Sequence, residues 1–278
     1  MLYLNGSYMP IEEGRVSVED RGFQFGDGVY EVVRVYDGRP FRLDRHLKRL
    51  QESLDGVRIP TPEPVEKIAE VCRELVRRGP ANAQIYLQVT RGAAPRSHAF
   101  PGDIRPTFLA YVREVRRYPD EKSFSLVTVP DIRWSRCNLK TICLLPNLLA
   151  KQKAVEGGGD EGLFVREDGT VSEGTSSNAF LIKAGRLITH PAGPRILDGV
   201  TRVAVLEVAA DQGVPVEQRP FLLAEARKAD EFFMTGTLTE VMPAVRIDGE
   251  PVGDGRQGPV TLRLRAAFRE RVDKECRG

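Results

Sequence analysis

Apolar residues recur along the chain with two different periods, and the change from one to the other outlines the elements. LYLNGSYMP (Leu2–Pro10) alternates around Asn5-Gly6, which predicts two short strands joined by a tight turn. VYEVVRVY (Val29–Tyr36) alternates over eight residues, so Tyr30, Val32, Arg34 and Tyr36 share one face while Glu31 faces the other way. Asp37-Gly38 then turns the chain back. Beyond it the period lengthens. Leu47, Leu50 and Leu54 mark one side of a helix with Asp44 as its expected N-cap, and VEKIAEVCRELVRRG is a second amphipathic helix stopped by Gly79-Pro80. QIYLQVTRG and PTFLAYVREV read as strands flanking the loop AAPRSHAFPGDIRP.

This first block, residues 1–115, makes a small α/β domain. The charged, proline-containing stretch 116–123 is the expected linker, and 124–278 the larger, strand-rich second domain. In that second part SLVTVPDIRWS is followed by the helix LLPNLLAKQKAVEGGG, the meander GLFVREDGTVSEG and NAFLIKAGRLITHP, and the helix VTRVAVLEVAADQG. Strands return in KADEFFMTGTLTEVMPAVRIDG, and a basic amphipathic helix comes last. The fold class is therefore α/β (α+β) in two domains.

Composition removes several classes of function. Formal charge is +2 in 278 residues, so no overall field draws in nucleic acid or an anionic membrane. No run of about 18 apolar residues is present to span a bilayer, and the start lacks the pattern of a secretory signal. Cys72, Cys137, Cys143 and Cys276 form neither a CxxC pair nor a disulfide framework, which makes a reducing cytoplasm the expected compartment and a metal site unexpected. Only nine of the 41 basic residues are lysine, which shortens the roll of amine nucleophiles.

Among those lysines Lys140 stands out, because LKTICLL sets it beside an apolar run. It is either a lysine at a strand end whose stem covers apolar surface, or one whose surroundings fit it to attack a carbonyl and form a Schiff base. Thr201, at the head of the helix in DGVTRVAVLEVAA, and Gly236-Thr237, in TGTLTE, are places where backbone N–H groups and hydroxyls can meet an anion. Arg49 is a candidate counter-charge or a solvated helix face. Arg96 and His98 point the same way in an extended PRSHAF, as a carboxylate receptor needs, although a surface loop explains them equally. Glu173, in VSEGTSSNAF, is either a strand-edge charge or the partner of a protonated ring nitrogen.

Together, DRGFQFGDGVYEVVRVYDG, HLKRL, VTRGAAPRSHAFP, DIRWSRCNLK, EGTSSNAF, ILDGVTR and TGTLTE resemble, in order and spacing, the fold type IV pyridoxal-phosphate enzymes. Within that family the likeness is to the bacterial D-amino acid aminotransferases. The resemblance implies that Lys140 carries pyridoxal 5'-phosphate as a Schiff base and then moves the substrate Cα proton. It implies that Glu173 pairs with the pyridine nitrogen, and that Arg49, Val200, Thr201, Gly236 and Thr237 hold the phosphate. Gly236 stands where relatives often carry serine. Arg133 and Glu161 are the implied pair toward the phenolic oxygen and the lysine. Ser176, Ser177 and Asn178 lie beside the ring and Leu197 against its face.

On the substrate side, the resemblance assigns the α-carboxylate to Tyr30 and to Arg96 and His98 donated by a neighbouring subunit, which implies a homodimer. The expected reaction moves the amino group of a D-amino acid (D-alanine, D-glutamate or D-aspartate type) to a 2-oxo acid such as 2-oxoglutarate or pyruvate. The alternatives are an L-branched-chain aminotransferase or an aminodeoxychorismate lyase of the same fold. A third, from another class, is a protein that only binds an anion through Arg49 and Thr201.

Overall fold

The structure is a computed structural model, and it describes residues 1–277. Its contacts divide the chain into two units after Arg116. The division is not a single cut. Leu139–Leu144, which a linear reading assigns to the second domain, belongs with the first unit, as do the described residues from Glu275 on.

In the first unit the predicted hairpins form β1 (Leu2–Leu4) with β2 (Ser7–Met9), and β3 (Gly28–Tyr36) with β4 (Arg39–Pro40). Between the two hairpins lies a short helix, α1 (Arg21–Phe25). The helices α2 (Leu43–Val57) and α3 (Val65–Arg77) follow, then β5 (Ala83–Thr90) and β6 (Thr107–Glu114). The strands make an antiparallel sheet ordered β2-β1-β6-β5-β3-β4.

One face of this sheet is apolar and covered. Val29, Val33, Val35, Ile85, Leu87 and Val89 pack with Leu47, Leu50 and Leu54 of α2 and Ile68, Cys72 and Leu75 of α3. The other face carries Tyr30, Tyr86 and Tyr111 as a ladder of stacked rings, with centroids 5.9 and 5.1 Å apart. Asp44 is not the N-cap of α2. The helix starts at Leu43, entered from Arg42 in the left-handed region (φ 52°), and Asp44 sits in the first turn, where its charge suits the dipole.

The second unit is built on a ten-stranded mixed sheet among the described residues. Its strands are β7 (Phe124–Pro130), β8 (Glu161–Val165), β9 (Thr170–Gly174), β10 (Asn178–Lys183), β11 (Arg186–Thr189), β12 (Val216–Gln218), β13 (Phe221–Leu222), β14 (Glu231–Gly236), β15 (Glu240–Ile247) and β16 (Glu250–Pro251). The order runs β12-β11-β10-β14-β15-β7-β8-β9-β13, with β16 beside β15. Helices α4 (Leu145–Glu156), α5 (Val200–Asp211), α6 (Leu223–Arg227) and α7 (Pro259–Arg277) complete the chain. Its core joins Phe124, Leu126, Leu163, Leu181, Phe232, Met234 and Ile247. Among the described residues no helix is long and apolar enough to cross a membrane.

Candidate active site

Asp20–Glu31 is far more ordered than its glycines and charges suggest. Asp20 caps α1 by accepting from the Gly22 N–H (2.8 Å), and its second oxygen accepts from Thr90 and Thr107 at 2.9 and 2.7 Å. Gly26 closes the helix at φ 68°. Gly28 serves a different need, close approach: a Cβ there would lie 2.7 Å from the Val89 carbonyl oxygen and 2.9 Å from the Ile142 side chain.

That close approach seats the segment carrying Lys140. Ile142 donates its N–H to Gly28 (3.0 Å), Tyr30 donates to the Lys140 carbonyl (3.0 Å), and Val29 pairs with Thr141 as an isolated bridge. The Lys140 N–H goes to the Ser53 hydroxyl at 3.1 Å. The backbone on both sides of the lysine is thus pinned to β3 and α2. Its half-buried side chain puts Nζ 4.1 Å from the centroid of the Tyr30 ring. Lys140 and Tyr30, singled out separately in the sequence, meet.

On the core side of the same strand, Glu31 is fully buried. Its carboxylate accepts from Arg49 Nε and Nη2 (2.7 and 2.9 Å) and lies 2.7 Å from His46 Nδ1. Burial alone would raise the Glu31 pKa, but the Arg49 charge and the His46 contact hold it well below the usual carboxylate range. His46 is itself buried, and burial pushes its pKa down. Arg49 is therefore not a solvated helix face: two of its nitrogens bond a buried acid. The sequence reading missed Glu31 and His46. The available signal was a carboxylate at the parity of Val29 and Val33, which needs cations from the covering helix.

Arg96 and His98 are exposed, as a surface loop allows, yet both lie on one ring. Arg96 Cζ is 4.9 Å from the Phe25 centroid, and the His98 ring meets Phe25 edge-on at 5.8 Å.

In the second unit Glu173 is buried at the end of β9. One oxygen accepts from the Leu197 N–H and from Asn178 Nδ2, both at 3.0 Å, and the other from Arg133. Burial raises its pKa despite the opposing Arg133 charge. Asn178 also donates to the Leu197 carbonyl (2.8 Å), so three residues assigned by resemblance form one hydrogen-bonded cluster. Arg133 does not join Glu161. It grips Asp131 through Nε and Nη2 (2.9 and 3.0 Å) and reaches Glu173 with its remaining nitrogen. Glu161 is buried and accepts from the Thr175 N–H (3.1 Å), the Thr175 hydroxyl and the Ser176 hydroxyl (3.0 Å).

The residues expected to meet a phosphate bear on whether an anion fits. Gly236 ends β14 beside Ser176 and Ser177, and a Cβ there would lie 2.7 Å from the Thr239 hydroxyl. The hydroxyls of Ser177, Thr235 and Thr239 are buried without a hydrogen-bond partner, an arrangement that calls for an acceptor. Val200 and Thr201 open α5, whose first turn has no side-chain cap. Buried donors, a bare helix start and a buried carboxylate suit a phosphorylated, protonatable ring. Arg202, missed in the sequence, is fully buried and ties Asp198 (3.0 Å) to the His190 carbonyl (2.9 Å) and Gln218 (2.8 Å), steadying the entry to α5.

Comparison with known proteins places this arrangement. The model of the amino-transferase class IV family matches residues 28–247. A D-alanine aminotransferase from Staphylococcus haemolyticus is 40% identical over 276 residues, 98% of each chain. One from Bacillus licheniformis is 39% identical over 277 residues, 98% of this chain and 96% of that one. Among solved structures, the PLP form of the branched-chain amino acid aminotransferase from Thermobaculum terrenum superposes with a TM-score of 0.87 at 29% identity, covering 99% of this chain and 94% of that one. With the family model spanning most of the chain and relatives aligned end to end, this chain belongs to the class IV aminotransferases, the fold type IV enzymes.

Proposed function

We propose that this protein is a pyridoxal-phosphate transaminase that moves the amino group of a D-amino acid, of the D-alanine, D-glutamate or D-aspartate type, to a 2-oxo acid such as 2-oxoglutarate or pyruvate. The observation that carries the reading is Lys140 Nζ set on the ring of Tyr30, in a chain that also bears the Arg96 and His98 pair. The relatives named as D-alanine aminotransferases support the substrate class.

When bound, pyridoxal 5'-phosphate supplies an electrophilic carbonyl and a conjugated ring that accepts the electrons of a broken Cα–H bond. Lys140 is the amine that would hold it, and Lys140 Nζ takes and returns the proton at the substrate Cα. Glu173, fixed by Asn178 and the Leu197 N–H, is the carboxylate that would face a protonated ring nitrogen. Thr201 and Val200 at the α5 start, Gly236 and Thr237, and Arg49 would hold the phosphate. Arg133 and Glu161, each locked by its own partners, would serve the phenolic oxygen and the lysine. Ser176, Ser177 and Asn178 would lie beside the ring, with Leu197 toward its face.

Tyr30 donates its hydroxyl to the substrate carboxylate, which Arg96 and His98 neutralise. We assign these two to a neighbouring subunit and the active form to a homodimer, on the strength of the family resemblance. A cytoplasmic setting suits the free thiols of Cys72, Cys137, Cys143 and Cys276.

Turnover of D-alanine with 2-oxoglutarate, run in parallel with L-leucine, tests the reading. D-alanine should be the better donor, and turnover of L-leucine with none of D-alanine overturns it. The second reading, an L-branched-chain aminotransferase, draws on the likeness to the Thermobaculum terrenum enzyme, and that same pair of assays separates the two.

A further inference from the structure

The loop that presents Arg96 and His98 is exposed along Pro95–Phe100, yet its foundations are buried. Arg21 is 3% exposed. Its Nε donates to Asp27 Oδ2 at 2.8 Å and its Nη1 to the Ser97 carbonyl at 2.5 Å, between the two residues of the pair. The same guanidinium lies 4.8 Å from the centroid of Phe25, the ring on which Arg96 and His98 rest. Arg21 also donates its backbone N–H to Gly92 (2.9 Å), where the loop leaves β5.

Asp27 does not need Arg21 for neutralisation. Arg91, equally buried, already donates twice to it, at 2.8 and 3.0 Å, while its other bonds reach the Val57 and Arg58 carbonyls. What Arg21 adds is the bond to Ser97. A forked guanidinium can hold a carboxylate with one nitrogen and a carbonyl with another, which an ammonium cannot reproduce.

We propose that Arg21 is a positioning residue: anchored on Asp27, it holds the Ser97 carbonyl and the Phe25 ring, and so sets the Arg96–His98 pair in the geometry that receives the substrate carboxylate. The inference rests on the reading of Arg96 and His98 as carboxylate receptors. It predicts that affinity for the amino acid depends on a residue that does not touch it.

The test uses the holoenzyme with Arg21→Lys and Arg21→Ala, the lysine keeping a charge against Asp27 while losing the fork. Both variants should raise the KM for D-alanine roughly tenfold, with kcat within about threefold. The cofactor's visible absorbance should stay unchanged, and amide exchange should quicken over Ser97–Phe100. In an Arg96→Ala background Arg21→Lys should add almost nothing, because the two act through one contact. Arg21→Lys with unchanged KM and unchanged exchange, beside an Arg96→Ala that raises KM, overturns the positioning role alone. So does an Arg21→Lys effect that multiplies in full with that of Arg96→Ala. An Arg96→Ala with unchanged KM overturns the receptor reading and the inference with it.

Discussion

The side-chain nitrogen of Lys140 stands 4.1 Å from the centre of the Tyr30 ring, and the Tyr30 N–H is bonded to the Lys140 carbonyl. One strand residue therefore touches the lysine twice, through its backbone and through its ring. The hydroxyl takes part in neither contact. Tyr30→Phe keeps the ring and loses only the hydroxyl, so it should raise the KM for D-alanine roughly tenfold and keep the cofactor's visible band. Lys140→Ala should abolish that band and cut turnover on the order of 10³-fold or more. Absorbance and steady-state kinetics on the same preparations separate the two effects.

Glu173 accepts from the Leu197 N–H on one oxygen and from Arg133 on the other. Glu173→Gln leaves one acceptor for these donors and sets an NH2 group against one of them. Turnover should fall about 10²-fold, the scale of losing one well-placed electrostatic group. Single-turnover kinetics should place the loss in the proton-transfer step rather than in amino acid binding.

The Glu31, His46 and Arg49 cluster is buried against the core face of β3. Glu31→Gln removes the carboxylate that accepts twice from the buried Arg49, and urea unfolding should show a loss of about 3–5 kcal/mol. Acid should act in the same direction. The Glu31 pKa is depressed by folding, so its contribution is complete above the unfolded carboxylate pKa and disappears as pH falls through the folded one. His46 is also depressed, so below about pH 6.5 the unfolded chain takes up a proton that the folded protein resists. Urea midpoints should therefore decline from pH 7 to pH 5 in the wild type. The decline should be shallower in His46→Gln.

Gly199 precedes α5, and a Cβ there would lie 2.1 Å from Asn178 Oδ1. Gly199→Ala should displace Asn178 from Glu173 and Leu197 at a cost of about 1–3 kcal/mol. Dialysis followed by absorbance should show faster loss of pyridoxal 5'-phosphate than in the wild type.

The hairpins, the two longer helices α2 and α3 of the first unit and the outward face of Tyr30 were legible because they rest on local periodicity and turn chemistry, whereas the short α1 was not read. The grouping of Glu173, Asn178 and Leu197 was legible only through family likeness, since nothing local says that residues 173 and 197 meet. Two things escaped the sequence reading for physical reasons. The placing of Leu139–Leu144 with the first unit depends on long-range pairing with Gly28 and Tyr30, which leaves no local pattern. The Arg21–Asp27–Arg91 network joins residues 64 or more positions apart at its far end, and each of them alone resembles ordinary surface charge.

Gly92, at φ 109°, brings the base of the Arg96 loop so close to Arg105 that a Cβ would lie 2.1 Å from the Arg105 carbonyl oxygen. A loop pinched shut at its stem is a cassette. The residues between can be exchanged, lengthened or shortened while the sheet below keeps its register. On the reading of Arg96 and His98 as carboxylate receptors, exchanging this cassette would change substrate preference without disturbing the fold, provided that the pinch and its buried arginine stays are kept.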